Sequence, residues 1–147
     1  MIRKIALLSM LTVFNSLNSS PIYAADNLFS QSLDYAQVEH VNGKQSKDGS
    51  WCFSTQVRHN DQGWEHYADG WLVHDLEGNL LAERTLLHPH DNEQPFTRSQ
   101  CGIKIPKSLT HVVVSAKCNQ HGPGGHPVKL NMNKTSGEGF TLTPYTL

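Results

Sequence analysis

Short segments in which apolar and polar side chains alternate recur along the chain from residue 34 onward, and turn-forming residues separate them. Alternation with a period of two is typical of strands that bury one face, and no long amphipathic helix pattern is present. Turn formers such as Asn42-Gly43 and Glu77-Gly78 lie between the segments. The pattern predicts an all-β, largely antiparallel β-sandwich of about seven strands, at residues 34–41, 51–60, 70–75, 79–87, 96–105, 110–118 and 128–132.

The first 24 residues have the features of a secretory signal peptide. Arg3 and Lys4 precede an apolar run at 5–14, and residues 22–24 provide a small-residue cleavage site. The run is shorter than the roughly 20 residues that a membrane-spanning helix needs, and no cysteine near the cleavage site could carry a lipid. We therefore expect a signal peptide at 1–24 and one β-sandwich domain at 25–147, periplasmic or secreted, with no membrane insertion after cleavage.

The charge balance argues against nucleic acid as a partner. Of the 12 Lys and Arg residues, two lie in the predicted signal peptide, and the remaining ten are outnumbered by 13 Asp and Glu residues. A slightly negative domain does not attract a phosphate backbone. The unusual component is histidine: there are nine, all after residue 24, and histidine is the commonest metal ligand.

Strand direction sorts these histidines between the two ends of the predicted sandwich. Consecutive antiparallel strands reverse direction, so every second connection falls at the same end. The connections after the second, fourth and sixth strands therefore share one end, and the opposite end holds His40, His74 and His111. Strand ends are rigid and the loops beyond them can converge, so the crowded end is predicted to form a transition-metal site. Its six histidines and one cysteine are His59, His66, His88, His90, Cys118, His121 and His126.

The residues expected to bind the metal are six of these seven, because His126 follows a flexible glycine stretch and is expected at the surface. Cys118 ends an inward-facing stripe of the sixth strand, and His59 continues the more apolar face of the second. Pro89 holds two imidazoles close together, and one of that pair is alternatively expected to orient a ligand or to move a proton. The expected ligands are His59, His66, His88, His90, Cys118 and His121, and the nearby aromatic residues expected to fill the core are Trp64, Tyr67, Trp71 and Phe96.

The three cysteines leave the state of Cys118 open. In an oxidising compartment they allow three single disulfides, Cys52 with Cys101, Cys52 with Cys118, or Cys101 with Cys118, and each leaves one thiol over. All three could also stay reduced. If Cys52 pairs with Cys101, the Cys118 thiol is free to bind a metal.

A family resemblance rests on His59, Glu65-His66-Tyr67, Trp71-x-Val73 and Cys118-Asn119-x-His121-Gly122. This set, which spans about Val57 to Gly122, resembles the iron domain of the superoxide reductases, or desulfoferrodoxins. The resemblance implies an immunoglobulin-like β-sandwich in which four equatorial histidines and one axial cysteine hold a ferrous ion, with a sixth position open for superoxide. It places His59, His66 and His121 among the equatorial ligands and makes Cys118 the axial thiolate.

The resemblance also has departures. His59 is followed by Asn60 where the family usually has proline, and the fourth histidine should come from the N-terminal part, where only His40 is available. His88 and His90 could replace it, but the segment that begins with them has no counterpart in the reductases. In that segment and the other loop motifs, the chain is more similar to a set of small exported proteins of unassigned function.

Two classes of function follow. The first is an exported protein that binds a transition metal, iron or copper, and that reduces superoxide by one electron if the metal is iron with a thiolate ligand. Without the thiolate, a site of histidines alone suits copper or zinc and favours storage or delivery, with a redox partner or a metal-delivery protein as the partner. The alternative is a non-catalytic protein- or glycan-binding module that uses the same three loops. No residue is assigned a catalytic role, because the chain contains no hydrolytic triad, phosphate loop or dinucleotide fingerprint.

Overall fold

The structure, a computed structural model, describes residues 29–147. Within them the chain forms strands and loops, with no helix. The strands are β1 (Gln37–Gln45), β2 (Trp51–Arg58), β3 (Ala68–His74), β4 (Leu80–Thr85), β5 (Phe96–Ile103), β6 (His111–Cys118), β7 (Gly122–Pro123), β8 (Val128–Asn131), β9 (Ser136–Gly137) and β10 (Phe140–Thr143).

The strands form two sheets that pack face to face. One sheet has the order β5-β2-β1-β10-β9, and the other has the order β4-β3-β6, with β7 and β8 both pairing with β6. All pairs of strands are antiparallel except β1 with β10. Alternate residues from both sheets meet in one apolar core, which includes Val41, Phe53, Val57, Trp71, Val73, Val112, Val114 and Leu130.

The prediction of an all-β sandwich is confirmed. Each of the seven predicted strands has a counterpart, and the structure adds β7, β9 and β10, which span only two to four residues and give a weak periodic signal. The predicted signal peptide lies outside the described residues. Among residues 29–147 there is no helix that is long and apolar enough to cross a membrane.

A disulfide between Cys52 and Cys101 joins β2 to β5, and this selects one of the three pairings that the sequence left open. Cys118 is a free, buried thiol. In the second sheet, Ala68 at the start of β3 lies opposite Cys118 at the end of β6. The loop that enters β3 and the loop that leaves β6 therefore lie side by side.

Candidate metal centre

Three of the predicted ligands meet at this end of the sandwich. One ring nitrogen each of His59 and His66 and the sulfur of Cys118 all lie within 4.8 Å of one another. His59 is the residue after β2, Cys118 is the last residue of β6, and His66 stands two residues before β3. Two imidazoles and a thiol so close together could hold a transition-metal ion.

Strand parity explains why two of these side chains point inward. In β2 the residues Trp51, Phe53, Thr55 and Val57 are buried, and the same alternation carries His59 into the interior, where it is 1% exposed. Cys118 is 2% exposed and extends the buried face of β6 in the same way. A buried imidazole or thiol requires a partner, because a polar group without one is costly in the interior.

His121, the fourth predicted ligand, lies beside this group. Its Nδ1 is 3.6 Å from the Cys118 sulfur, and its main-chain amide donates a hydrogen bond of 3.3 Å to the same sulfur. The His121 ring also contacts the His66 ring, with 5.0 Å between the centroids. His121 is exposed, so it forms the solvent side of the group, while His59 and Cys118 form the buried side.

A buried carboxylate that was not predicted from the sequence, that of Asp61, orients His59. Asp61 Oδ1 lies 2.6 Å from His59 Nδ1, and both side chains are 0% exposed. Burial by itself raises the pKa of Asp61, but the hydrogen bonds from His59 and from the main-chain amides of His90 and Ala68 outweigh it, and the pKa is lowered. Because an ionised carboxylate can only accept, the proton of neutral His59 lies on Nδ1. His59 Nε2 then has a free lone pair, the state that a metal ligand needs.

His66 has a buried ring nitrogen, Nε2, without a hydrogen-bond partner, and His66 belongs to the converging group. The ring is fixed between two others, since its centroid lies 4.6 Å from that of His59 and 5.0 Å from that of His121. An unpaired buried nitrogen among other ligand atoms fits a metal ion better than it fits a packed core.

His88 and His90 are not among the three residues whose ligand atoms converge. His90 stacks on Phe96, with 3.8 Å between the ring centroids, and neither of its buried ring nitrogens has a hydrogen-bond partner. Its Nδ1 is 3.9 Å from Asp61 Oδ2, and the His88 ring lies 4.5 Å from the His90 ring. Burial and the nearby positive charges of Arg98 and His88 lower the pKa of His90. His90 thus adjoins the carboxylate that holds His59, with His88 beside it, and this is the placement expected for a residue that supports a ligand.

The segment before β1 also reaches the group, and no residue of this segment was predicted to do so. His40 lies on β1 with its Nε2 3.4 Å from Thr141 Oγ1. The main-chain oxygen of Asp34 instead contacts the group, and the Tyr35 ring lies 4.9 Å from that of His121. Every residue has a main-chain carbonyl, so the sequence contains no signal that could have identified this contact.

One prediction about the aromatic residues is wrong. Trp64 was expected to fill the core, but it is 65% exposed. Asn119 Nδ2 and Gln120 Nε2 bind the main-chain oxygens of Trp64 and Glu65, and this holds the loop outside the core with the indole toward solvent. Trp71 and Phe96 are buried as expected, and Tyr67 is half-buried.

Comparison with known proteins finds a relative of this chain. The chain is 38% identical, over 109 residues, to a protein of Halomicrobium mukohataei named "Putative lipoprotein". The alignment covers 73% of this chain and 53% of that protein, so the chain spans about half the length of the relative. The sequence matches no protein-family model. It matches no solved structure either.

Proposed function

We propose that this protein is exported and binds one redox-active transition-metal ion, iron or copper, through His59, His66, Cys118 and His121. The observation that carries the proposal is the convergence of two imidazole nitrogens and one thiol sulfur within 4.8 Å, in a group that includes the unpartnered Nε2 of His66. Thiolate and imidazole donors suit copper, zinc and iron, whereas magnesium and calcium prefer oxygen.

The free state of Cys118 favours a thiolate-containing centre over a site of histidines alone. The Cys52–Cys101 disulfide occupies the other two cysteines, so Cys118 remains available as a ligand. The hydrogen bond from the His121 amide to the Cys118 sulfur stabilises negative charge there. On the other side of the group, Asp61 holds His59 in the orientation and tautomer that binding requires.

Such a centre supports one-electron chemistry at its solvent side. An iron or copper ion held by these residues would supply one-electron redox chemistry, with a redox partner in the same compartment as the electron donor. His121 is the exposed member of the group, so a small oxidant would approach past its ring. Together with the resemblance carried by Cys118-Asn119-x-His121-Gly122, this makes superoxide the leading candidate for that oxidant.

Three independent features support export. The sequence predicts a signal peptide at 1–24, the chain contains a disulfide of the kind that persists in oxidising compartments, and the relative in Halomicrobium mukohataei has the name "Putative lipoprotein". We therefore propose a periplasmic or secreted location.

The test is the metal content of protein purified without an affinity tag. Wild-type protein should contain about one equivalent of iron or copper, and His66→Ala should lose it because a ligand atom is removed. His111→Ala is the matched control, since His111 is a half-buried histidine bonded to Thr110 at the other end of β6. A visible thiolate-to-metal absorption band lost in Cys118→Ser would support the thiolate centre. Metal content that is equal in wild type and His66→Ala would refute the site.

Trp64 favours a second candidate, a module that binds a protein or a glycan. An indole that is 65% exposed on a loop fixed by Asn119 and Gln120 resembles the aromatic anchors of binding surfaces. Phe96, in contrast, is buried and cannot serve as an anchor of this kind. In a screen of immobilised glycans and exported proteins, Trp64→Ala would abolish binding in this case and would leave the metal content unchanged.

A further inference from the structure

One main-chain oxygen lies close to three of the candidate ligand atoms. The carbonyl oxygen of Asp34 lies 2.9 Å from His121 Nδ1, 3.3 Å from His59 Nε2 and 3.5 Å from the Cys118 sulfur. Asp34 belongs to the segment before β1, which follows the predicted signal peptide closely in sequence. No other main-chain oxygen among the described residues contacts three of the candidate ligands.

The spacing of these donor atoms fits coordination of one cation. Ligand atoms that lie about 2.0–2.3 Å from a shared ion are roughly 3 to 3.5 Å from one another, and the Asp34 oxygen has this spacing to His121 Nδ1, His59 Nε2 and the Cys118 sulfur. Without a metal, the Cys118 thiol donates a hydrogen bond to the same oxygen, so an ion would replace that proton.

Hydrogen bonds hold the segment that contains Asp34 in place. The side-chain amide of Gln37, a residue that is 8% exposed, donates to the main-chain oxygens of Ser30, Ser32 and Tyr35. The Gln37 oxygen accepts from the amide of His126 at 2.8 Å. The amide of Asn60, next to His59, donates to the oxygen of Leu33 at 3.0 Å. These hydrogen bonds hold the residues that precede and follow Asp34, and so they fix the position of the Asp34 carbonyl.

We infer that the main-chain oxygen of Asp34 is itself a metal ligand, and that residues 30–36 form a strap that closes the centre. The inference rests on the proposed metal site and adds an oxygen donor to its nitrogen and sulfur donors. It also couples the ion to the N-terminal segment, so that metal binding and the docking of residues 30–36 stabilise each other.

The direct test observes this one carbonyl in the intact mature protein. The dipeptide Asp-Tyr occurs once in the sequence, at residues 34 and 35, so labelling Asp with carbonyl ¹³C and Tyr with ¹⁵N gives a single correlated NMR signal. Titration with Cd²⁺, a diamagnetic probe ion, should move the Asp34 carbonyl resonance downfield, and the shift should saturate at one equivalent. A resonance that stays in place, or that moves upfield because the carbonyl has left the centre, would overturn the inference.

A pair of variants measures what the strap contributes to affinity. Gln37→Ala releases the segment without removing a side-chain ligand, and the affinity for Cd²⁺ should fall roughly tenfold, as it does when a supporting residue around a metal is lost. Gln45→Ala is the control, because the Gln45 amide also donates to a main-chain oxygen, that of Gly49, but in the β1–β2 turn. Equal affinities in Gln37→Ala and Gln45→Ala would overturn the role of the strap. If wild-type protein binds no Cd²⁺, the proposed metal site itself is refuted. That result is distinct from one in which the protein binds Cd²⁺ but the strap makes no contribution.

Discussion

Replacing Asp61 with asparagine tests how the protein prepares His59 for a metal. In the wild type, Oδ1 accepts from His59 Nδ1 at 2.6 Å and from the Ala68 amide at 3.0 Å, while Oδ2 accepts from the His90 amide at 2.7 Å. Asparagine has one accepting oxygen and one donating NH₂ group. If its oxygen takes the Oδ1 position, the NH₂ group faces the N–H of His90. If its oxygen takes the Oδ2 position, the NH₂ group donates to His59 Nδ1 and moves the ring proton to Nε2, which can then no longer bind a metal.

Either orientation has a cost that can be estimated. A buried donor without a partner destabilises a protein by about 1–3 kcal/mol. Loss of a residue that orients a metal ligand lowers affinity about 10- to 100-fold, which corresponds to roughly 1.4–2.7 kcal/mol of binding free energy. Asp61→Asn should therefore lower both the stability of the metal-free protein and its affinity for metal.

The assay combines chelator competition for the dissociation constant with urea denaturation of the metal-free protein. Asp75→Asn is the matched control, since Asp75 also accepts several hydrogen bonds, from Glu77 and Asn79, but in the turn between β3 and β4. This control should lose stability and keep the wild-type affinity. An Asp61→Asn protein that binds metal as tightly as the wild type would refute the assignment of Asp61.

Three further predictions concern stability. Replacing both Cys52 and Cys101 with serine should lower the free energy of unfolding by about 4 kcal/mol, because the disulfide closes a loop across a sequence separation of 49, and should leave the metal stoichiometry unchanged. The pKa of His90 is lowered below its ordinary 6.5, so the unfolded chain gains a proton first as the pH falls. Metal-free protein should then lose up to about 1.4 kcal/mol per pH unit below pH 6.5 from this group, and His90→Phe should reduce that slope in urea denaturation between pH 7 and 5. Trp71→Ala should cost about 3–5 kcal/mol in the same assay, since Trp71 is fully buried, and a smaller loss would mean that the core collapses around the cavity.

Much of the fold could be predicted because burial imposes a period of two on the strands. In β2 and β6, that alternation also predicted that His59 and Cys118 end buried faces, which the structure confirms. The strand β10 was not predicted, although its residues alternate between buried and exposed as do those of β8, an equally short strand that was predicted. The parallel pairing of β10 with β1 joins residues far apart in sequence and leaves no local signal.

The candidate site was predictable only for residues whose side chains are common metal ligands, such as histidine and cysteine. The convergence of His59, His66, Cys118 and His121 followed from the direction of the strands. Asp61 was missed because a carboxylate in a polar loop is more often solvated, and only the packing around it reveals its burial. Trp64 was assigned to the core from its size, but the hydrogen bonds of its loop keep it outside.

The most direct test of the shared metal centre is X-ray absorption spectroscopy of the protein loaded with one equivalent of Zn²⁺. We expect one sulfur scatterer at about 2.3 Å together with nitrogen or oxygen scatterers at about 2.0–2.1 Å. The sulfur contribution should disappear in Cys118→Ser and persist in His111→Ala. A wild-type spectrum without sulfur, or one whose sulfur contribution survives in Cys118→Ser, would contradict the assignment of Cys118 and the histidines to a single ion.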